Sequence, residues 1–222
     1  MLKHFTLTYF LSLWLPLALL AQSGQTTMMN DPKAKEVLDK MSETYRNSSG
    51  IYAKFSQTTE APGAKPITKN GEITVKGDMY KIQFPEQMIF CDQKVVWTYL
   101  KENNEVQIND YEPSAEDITP TSLFNIYQND FFYIKQADEM VSNVLCHVIE
   151  LTPKDKSRPY FKVRLWVDKN TNIAKRIKIF DKNGYRYTYT ILSADIKVKP
   201  EDSHFRFNKA DFPGVKVEDL RM

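Results

Sequence analysis

Glycine is scarce in this 222-residue chain, seven in all, and none is placed to build a phosphate-cradling loop ahead of a helix. Histidine is rarer still. Of the three, His4 lies in an apolar leader, and His147 and His204 have no partner at metal-ligand spacing. There is no His-Glu-x-x-His pair, no Cys-x-x-Cys and no Gly-x-Ser-x-Gly elbow. Asp168, Asn170 and Asn172 imitate the start of a calcium loop, but Ile173 stands where that loop needs glycine and Ile179 where it needs glutamate. No catalytic motif with a mechanism behind it is left, and the chain is not expected to be an enzyme. A surplus of one charge is missing too: 30 Lys and Arg face 28 Asp and Glu, a net +2. The basic residues alternate with apolar ones along strands, as on a solvated face, so no nucleic-acid footprint is present.

Long apolar runs are limited to one. It covers residues 5–20, follows a short basic start, is interrupted by Pro16 and ends at Ala21. This is the pattern of a secretory signal peptide, with cleavage expected after Ala21; a membrane anchor is the alternative, for which the run is short. Residues 22–30 read as a flexible leader and 31–222 as one domain, exported and soluble. Two cysteines, Cys91 and Cys146, complete the scarcities. Export permits a disulfide between them, which would stabilise by ~4 kcal/mol in the chain-entropy picture. Two buried free thiols are the other reading.

What is plentiful is aromatic. Aromatics make up 13% of the chain, with 12 Tyr and 13 Phe, and such richness favours sheet. Residues 71–100 read as four short strands. Ile73 and Val75 alternate with polar residues, as do Tyr80, Ile82 and Phe84, the mark of strands with one buried face. Gly77-Asp78 and Pro85-Glu86 supply the turns. The next two strands, 87–91 and 95–100, are apolar on both faces, so both faces need cover: protein on one side and a bound lipid on the other.

Before this stretch, Asp31 and Pro32 open a helix as N-cap and first residue, with Val37, Leu38, Met41 and Tyr45 on one stripe. A strand at 51–58 puts Ala53, Phe55 and Gln57 on one face. After it, residues 111–120 break the pattern, and 121–129 read as a short helix showing Leu123, Phe124, Ile126 and Tyr127, apolar enough to be a lid. Strands resume at 144–152 and 160–167, the latter alternating Phe161, Val163, Leu165 and Val167. A hairpin at Asn183-Gly184 follows. Ile196 and Val198 extend the sheet, and Phe205 and Phe207 close it. The fold is therefore mostly β with a few helices, an antiparallel barrel or strongly curved sheet.

Several of these segments, in this order, resemble the LolA family, the outer-membrane lipoprotein carriers of the periplasm: Tyr52-Ala-Lys-Phe-Ser-Gln57, Gly71-Glu-Ile-Thr-Val-Lys76, Tyr80-Lys-Ile-Gln-Phe84, Asp92-Gln-Lys-Val-Val-Trp97-Thr-Tyr99, Leu151-Thr-Pro-Lys154, Phe205-Arg-Phe207 and Pro213-Gly-Val-Lys-Val217. The family's Arg-Pro turn, whose arginine helps to hold the lid, is replaced by Gly77-Asp78, which makes this a divergent member. The resemblance implies an unclosed antiparallel β-barrel with a helical lid, a monomer in the periplasm of a Gram-negative-type bacterium, and no cofactor. It implies a cargo of acylated lipoproteins, received by their lipid from an inner-membrane releasing transporter and passed to an outer-membrane acceptor. Acyl chains gain about 0.8 kcal/mol per buried methylene, so a carrier needs a large apolar face that stays open. Ile82, Phe84, Phe90, Trp97, Phe161 and Leu165 are the candidate cavity lining, and Leu123, Phe124, Ile126 and Tyr127 the candidate lid; each lining residue is also a candidate for plain core. Trp97→Glu is expected to weaken lipid uptake. A lipid-binding sensor of the same fold, a lipoprotein receptor at the outer membrane and a structural envelope protein with a filled core are the alternatives. The receptor would need an acylated cysteine after the leader, and Ala21-Gln22-Ser23 offers none.

Overall fold

The computed structural model describes residues 30–112 and 127–221. The expected signal peptide, nearly all of the leader, and the lid candidates Leu123, Phe124 and Ile126 lie outside the described residues.

A helix, α1 (Pro32–Arg46), comes first, and Asp31 caps it by accepting from Lys33 N at 2.8 Å. The same carboxylate accepts from Lys135 N at 3.1 Å, and Asp31 N donates to Tyr133 O at 3.0 Å. These bonds, the Lys135 amide first, hold the Asp31 carboxyl below its usual range. The strands follow: β1 (Ile51–Glu60), β2 (Ile67–Lys76), β3 (Met79–Gln83), β4 (Gln87–Cys91), β5 (Val95–Leu100) and β6 (Glu105–Asp110). After a short helix, α2 (Tyr127–Asp130), come β7 (Phe131–Val141), β8 (Val144–Pro153), β9 (Tyr160–Asp168), β10 (Ala174–Asp181), β11 (Arg186–Asp195) and β12 (Lys216–Asp219). Among the described residues no helix is long and apolar enough to cross a membrane.

The twelve strands of the described residues form one sheet in the order β12-β6-β5-β4-β3-β2-β1-β11-β10-β9-β8-β7. Every pairing is antiparallel except β12 with β6. The two end strands do not pair with each other, so the sheet curves without closing. Register shifts in β1/β11, β9/β10 and β7/β8 bend the strands locally, as bulges do.

Two layers cover the sheet. On the concave face α1 lies over β7–β10: Ala34, Val37, Leu38 and Met41 pack with Tyr133, Ile149, Leu151, Val163 and Leu165. The edge strand β7 is thereby clamped by the helix start rather than left bare. On the convex face, residues 197–215 wrap over β2–β6. Lys76 Nζ donates to Asp202 at 2.7 Å and to Pro200 O at 3.1 Å, and Arg206 Nε donates to Asp92 at 3.0 Å. Phe207 stacks on Phe212 at 4.6 Å, and Tyr99 meets Phe212 at 4.4 Å.

This wrapping corrects the expected end of the sheet. β11 stops at Asp195, so Ile196 and Val198 do not extend it. Phe205 ends a 3-10 turn, Asp202–Phe205, and is fully buried. The closing strand is β12 instead, added in parallel to β6 by Lys216–Asp219.

Candidate functional site

Because α1 sits over β7–β10, the concave face of β1–β4 and β11 has no helix above it among the described residues. A cavity of about 360 Å³ opens there, within the 300–1,000 Å³ range of small-ligand sites. Its wall comes from alternate residues of neighbouring strands: Ala53, Phe55 and Gln57 of β1, Ile73 and Val75 of β2, and Ile82 of β3. Gln87 and Ile89 of β4, Ile177 and Ile179 of β10, and Tyr189 and Ile191 of β11 add to it. Register puts these side chains in rows, Ala53 opposite Ile73 and Ile73 opposite Ile82 on one side, Phe55 opposite Ile191 on the other.

Two features keep the hollow from collapsing. β-Branched side chains have few rotamers, and isoleucine dominates the wall. The Phe55 and Phe84 rings meet edge to face at 5.6 Å and 87° over Gly71, where an added Cβ would come within 2.7 Å of Phe55 Cζ and 3.0 Å of Phe84 Cε1. Glycine there lets the ring pair lie down on β2.

Tyr45 joins the cavity wall to the core. Tyr45, at the C-terminal end of α1, accepts from Ala174 N at 3.1 Å, and burial pushes its phenol up to about 12. Around it Ile51, Val75, Tyr80 and Cys91 form a core cluster. Among the described residues the lining contains no Asp, Glu, Lys, Arg or His. Its polar atoms belong to Gln57, Gln87, Tyr45 and Tyr189, and Gln57 Nε2 donates to Tyr189 Oη at 3.2 Å. Among the described residues no cluster of His, Cys, Asp and Glu could hold a metal ion. What such a pocket accepts is an uncharged, mostly hydrocarbon ligand.

The family profile described as outer membrane lipoprotein carrier protein LolA matches residues 46–208, a span that contains nearly the whole cavity wall. The chain belongs to the LolA family. Among solved structures it is similar to an uncharacterized conserved protein from Thermus thermophilus, with 11% identity, 86% of this chain and 99% of that chain covered, and a TM-score of 0.57. A LolA superfamily protein from Nitrosomonas europaea is 14% identical over 78% of this chain and 97% of its own, with a TM-score of 0.43. The Pseudomonas aeruginosa MucA/MucB complex contains a chain 13% identical over 80% of this chain and 62% of its own, with a TM-score of 0.44. No curated protein sequence matches. At 11% identity the likeness to the Thermus thermophilus protein is one of fold alone, and the fold of this LolA-family chain is the unclosed curved sheet described above.

Of the residues expected to line the cavity, Ile82 and Phe84 stand on its wall. Phe90 does not. It is 4% exposed on the convex face, 5.9 Å from the Phe207 ring and under the Lys81 ammonium at 5.0 Å. Trp97 is its register partner across β4/β5 and shares that face. Phe161 is 44% exposed, beside Phe180 at 6.0 Å and Arg186 at 5.6 Å. The register shift near Phe180 and Asp181 turns it outward, so the alternation expected from 161 to 167 begins only after it. Leu165 faces inward but is fully buried with α1, a core residue rather than a cavity one. The two apolar faces of β4 and β5 are thus both explained: the C-terminal wrap covers Phe90 and Tyr99, while Ile89 faces the cavity.

Tyr127 begins α2, and the other lid candidates lie outside the described residues. The last residue of α2, Asp130, is tied down by Arg158 Nη2 at 2.9 Å; Arg158 is buried and also donates to Tyr160 Oη at 2.8 Å. Cys91 and Cys146 are free and buried in separate clusters, the first beside Tyr80 and the second beside Trp166, so the disulfide does not form and burial raises both thiols. The Asp168 turn is a hairpin turn, its carboxylate accepting from Asn170 N at 2.8 Å.

Sequence reasoning missed most of the wall: Ile89, Ile177, Ile179, Tyr189 and Ile191. The usable signal was the Ala53-Phe55-Gln57 face of β1, since whatever strands flank β1 must add their inward residues to it.

Proposed function

We propose that this protein is an exported carrier that shelters the acyl chains of lipoproteins in the concave cavity and moves them through the periplasm, from an inner-membrane releasing transporter to an outer-membrane acceptor. The observation that carries this reading is a cavity of about 360 Å³ with no charged side chain in its wall among the described residues, in a chain of the LolA family. Each methylene taken from water contributes about 0.8 kcal/mol, so even a partly inserted tail is held firmly. Delivery requires no bond to be made or broken. A difference in affinity between donor, carrier and acceptor suffices, and the protein acts as a binding protein rather than an enzyme.

The test is transfer. The processed protein is loaded with a fluorescent dipalmitoylated lipopeptide, separated from free lipid, and mixed with phospholipid vesicles. Saturable one-to-one loading followed by movement of the lipopeptide into vesicles supports a carrier. Failure to load refutes it, and a complex that loads but never releases to membranes refutes the transport step.

A further inference from the structure

Polar atoms are few in the cavity wall, and two polar side chains there stand side by side. Gln57 on β1 and Tyr189 on β11 are register partners, joined by the 3.2 Å bond from Gln57 Nε2 to Tyr189 Oη. That bond uses one amide hydrogen and one phenol lone pair. The phenol hydrogen and the second amide hydrogen have no other partner among the described residues. Both side chains line a cavity whose wall from here to Ile51 is hydrocarbon: Phe55, Ala53 and Ile51 on β1, with Ile73 and Val75 beside them. At about 3.4 Å per residue the row from Gln57 to Ile51 spans roughly 20 Å. Burial raises the Tyr189 phenol, so it stays a neutral donor across the physiological range.

We propose that Gln57 and Tyr189 form the polar anchor of the cavity, holding the carbonyl oxygen of a neutral acyl ester or amide while its tail runs toward Ile51 and Val75. The inference rests on the acyl-chain reading above and adds the chemical form of the acyl group. A carbonyl oxygen accepts two hydrogen bonds, and this pair has two spare donors on adjacent groups. An ionised fatty acid fits worse. Its carboxylate needs a cation, the wall has none among the described residues, and Lys69, the register partner of Gln57 on β2, is already ion-paired with Glu86. An unpaired carboxylate in an apolar site is costly.

The processed protein is titrated with N-phenyl-1-naphthylamine, which has no carbonyl, and the dye is then displaced by methyl palmitate or by palmitate. Methyl palmitate is expected to displace at least tenfold better than palmitate. Tyr189→Phe is expected to weaken methyl palmitate about fivefold to tenfold, the worth of one buried hydrogen bond, with dye affinity unchanged. Glu86→Gln, which frees Lys69, is expected to improve palmitate severalfold and leave methyl palmitate alone. An unchanged ester affinity in Tyr189→Phe, or equal loss for ester and dye, overturns the anchor. A wild-type preference for palmitate overturns it while leaving the acyl-chain reading intact. Failure of the wild type to bind dye or ester overturns both.

Discussion

Filling the cavity from its wall separates a hollow protein from a solid one. Ala53 is 5% exposed yet borders the empty space. In a close-packed core, Ala→Phe at such a position forces side chains off their rotamers and costs about 1–3 kcal/mol or more. Here the new ring has about 360 Å³ to enter. It buries apolar area instead, and at 25 cal/mol per Å² about 100 Å² of that would stabilise by up to ~2.5 kcal/mol. Ala53→Phe is therefore expected either to raise unfolding stability or to lower it by less than about 1 kcal/mol. The ring also takes the place of roughly four methylenes of an acyl tail, at about 0.8 kcal/mol each. The loss of about 3 kcal/mol corresponds to at least a hundredfold weaker binding. Denaturant unfolding and acyl-probe titration on the same preparation read both quantities. Destabilisation of about 3 kcal/mol or more, the close-packed result, or unchanged acyl binding, refutes the reasoning.

Three further outcomes follow from the geometry. Ile82→Glu places a carboxylate on the cavity wall and is expected to abolish acyl-probe binding, whereas Trp97→Glu, on the convex face, should leave it within about twofold; the reverse order in a probe titration would contradict the assignment of faces. Gly71→Ala puts a Cβ 2.7 Å from Phe55 Cζ and 3.1 Å from Gln83 O, and is expected to lower unfolding stability by about 1–3 kcal/mol, measured with denaturant. Lys135 at 2.6 Å, Lys169 at 2.7 Å and His147 at 3.2 Å hold Asp138 well below the usual carboxylate range. A depressed carboxylate contributes stability that is complete above its unfolded pKa, about 3.9, and lost as pH falls toward its folded value. Asp138→Asn should cost about 1 kcal/mol at neutral pH, allowing for partial exposure, and the difference from wild type should shrink below about pH 4 in pH-dependent unfolding curves.

The strands were legible because period two survives wherever one face is wet. Ile73 and Val75, and Tyr80 and Ile82, declare their inward face without help. The helix start was legible because Asp31 and Pro32 are local chemistry. What could not be read was set by distant contacts. β4 and β5 are apolar on both faces, so alternation does not say which face is the cavity. The choice is made by Phe207 and Phe212, far downstream in the chain, which cover Phe90 and Tyr99. Phe161 was misplaced by a bulge that period-two counting cannot see. Leu165 has the right direction, but α1 rather than empty space lies above it. Ile177, Ile179 and Tyr189 join the wall only because β11 pairs with β1 and β10 with β11, and the first of those pairings joins segments far apart in the chain.

Native mass spectrometry of the processed protein after incubation with a diacylated lipopeptide tests the hollow most directly. A one-to-one adduct is expected for the wild type and for Trp97→Glu, and free protein for Ala53→Phe. Free wild-type protein at saturating lipopeptide, or an adduct that survives the filling of the cavity, would show that the tail does not lie inside the curved sheet.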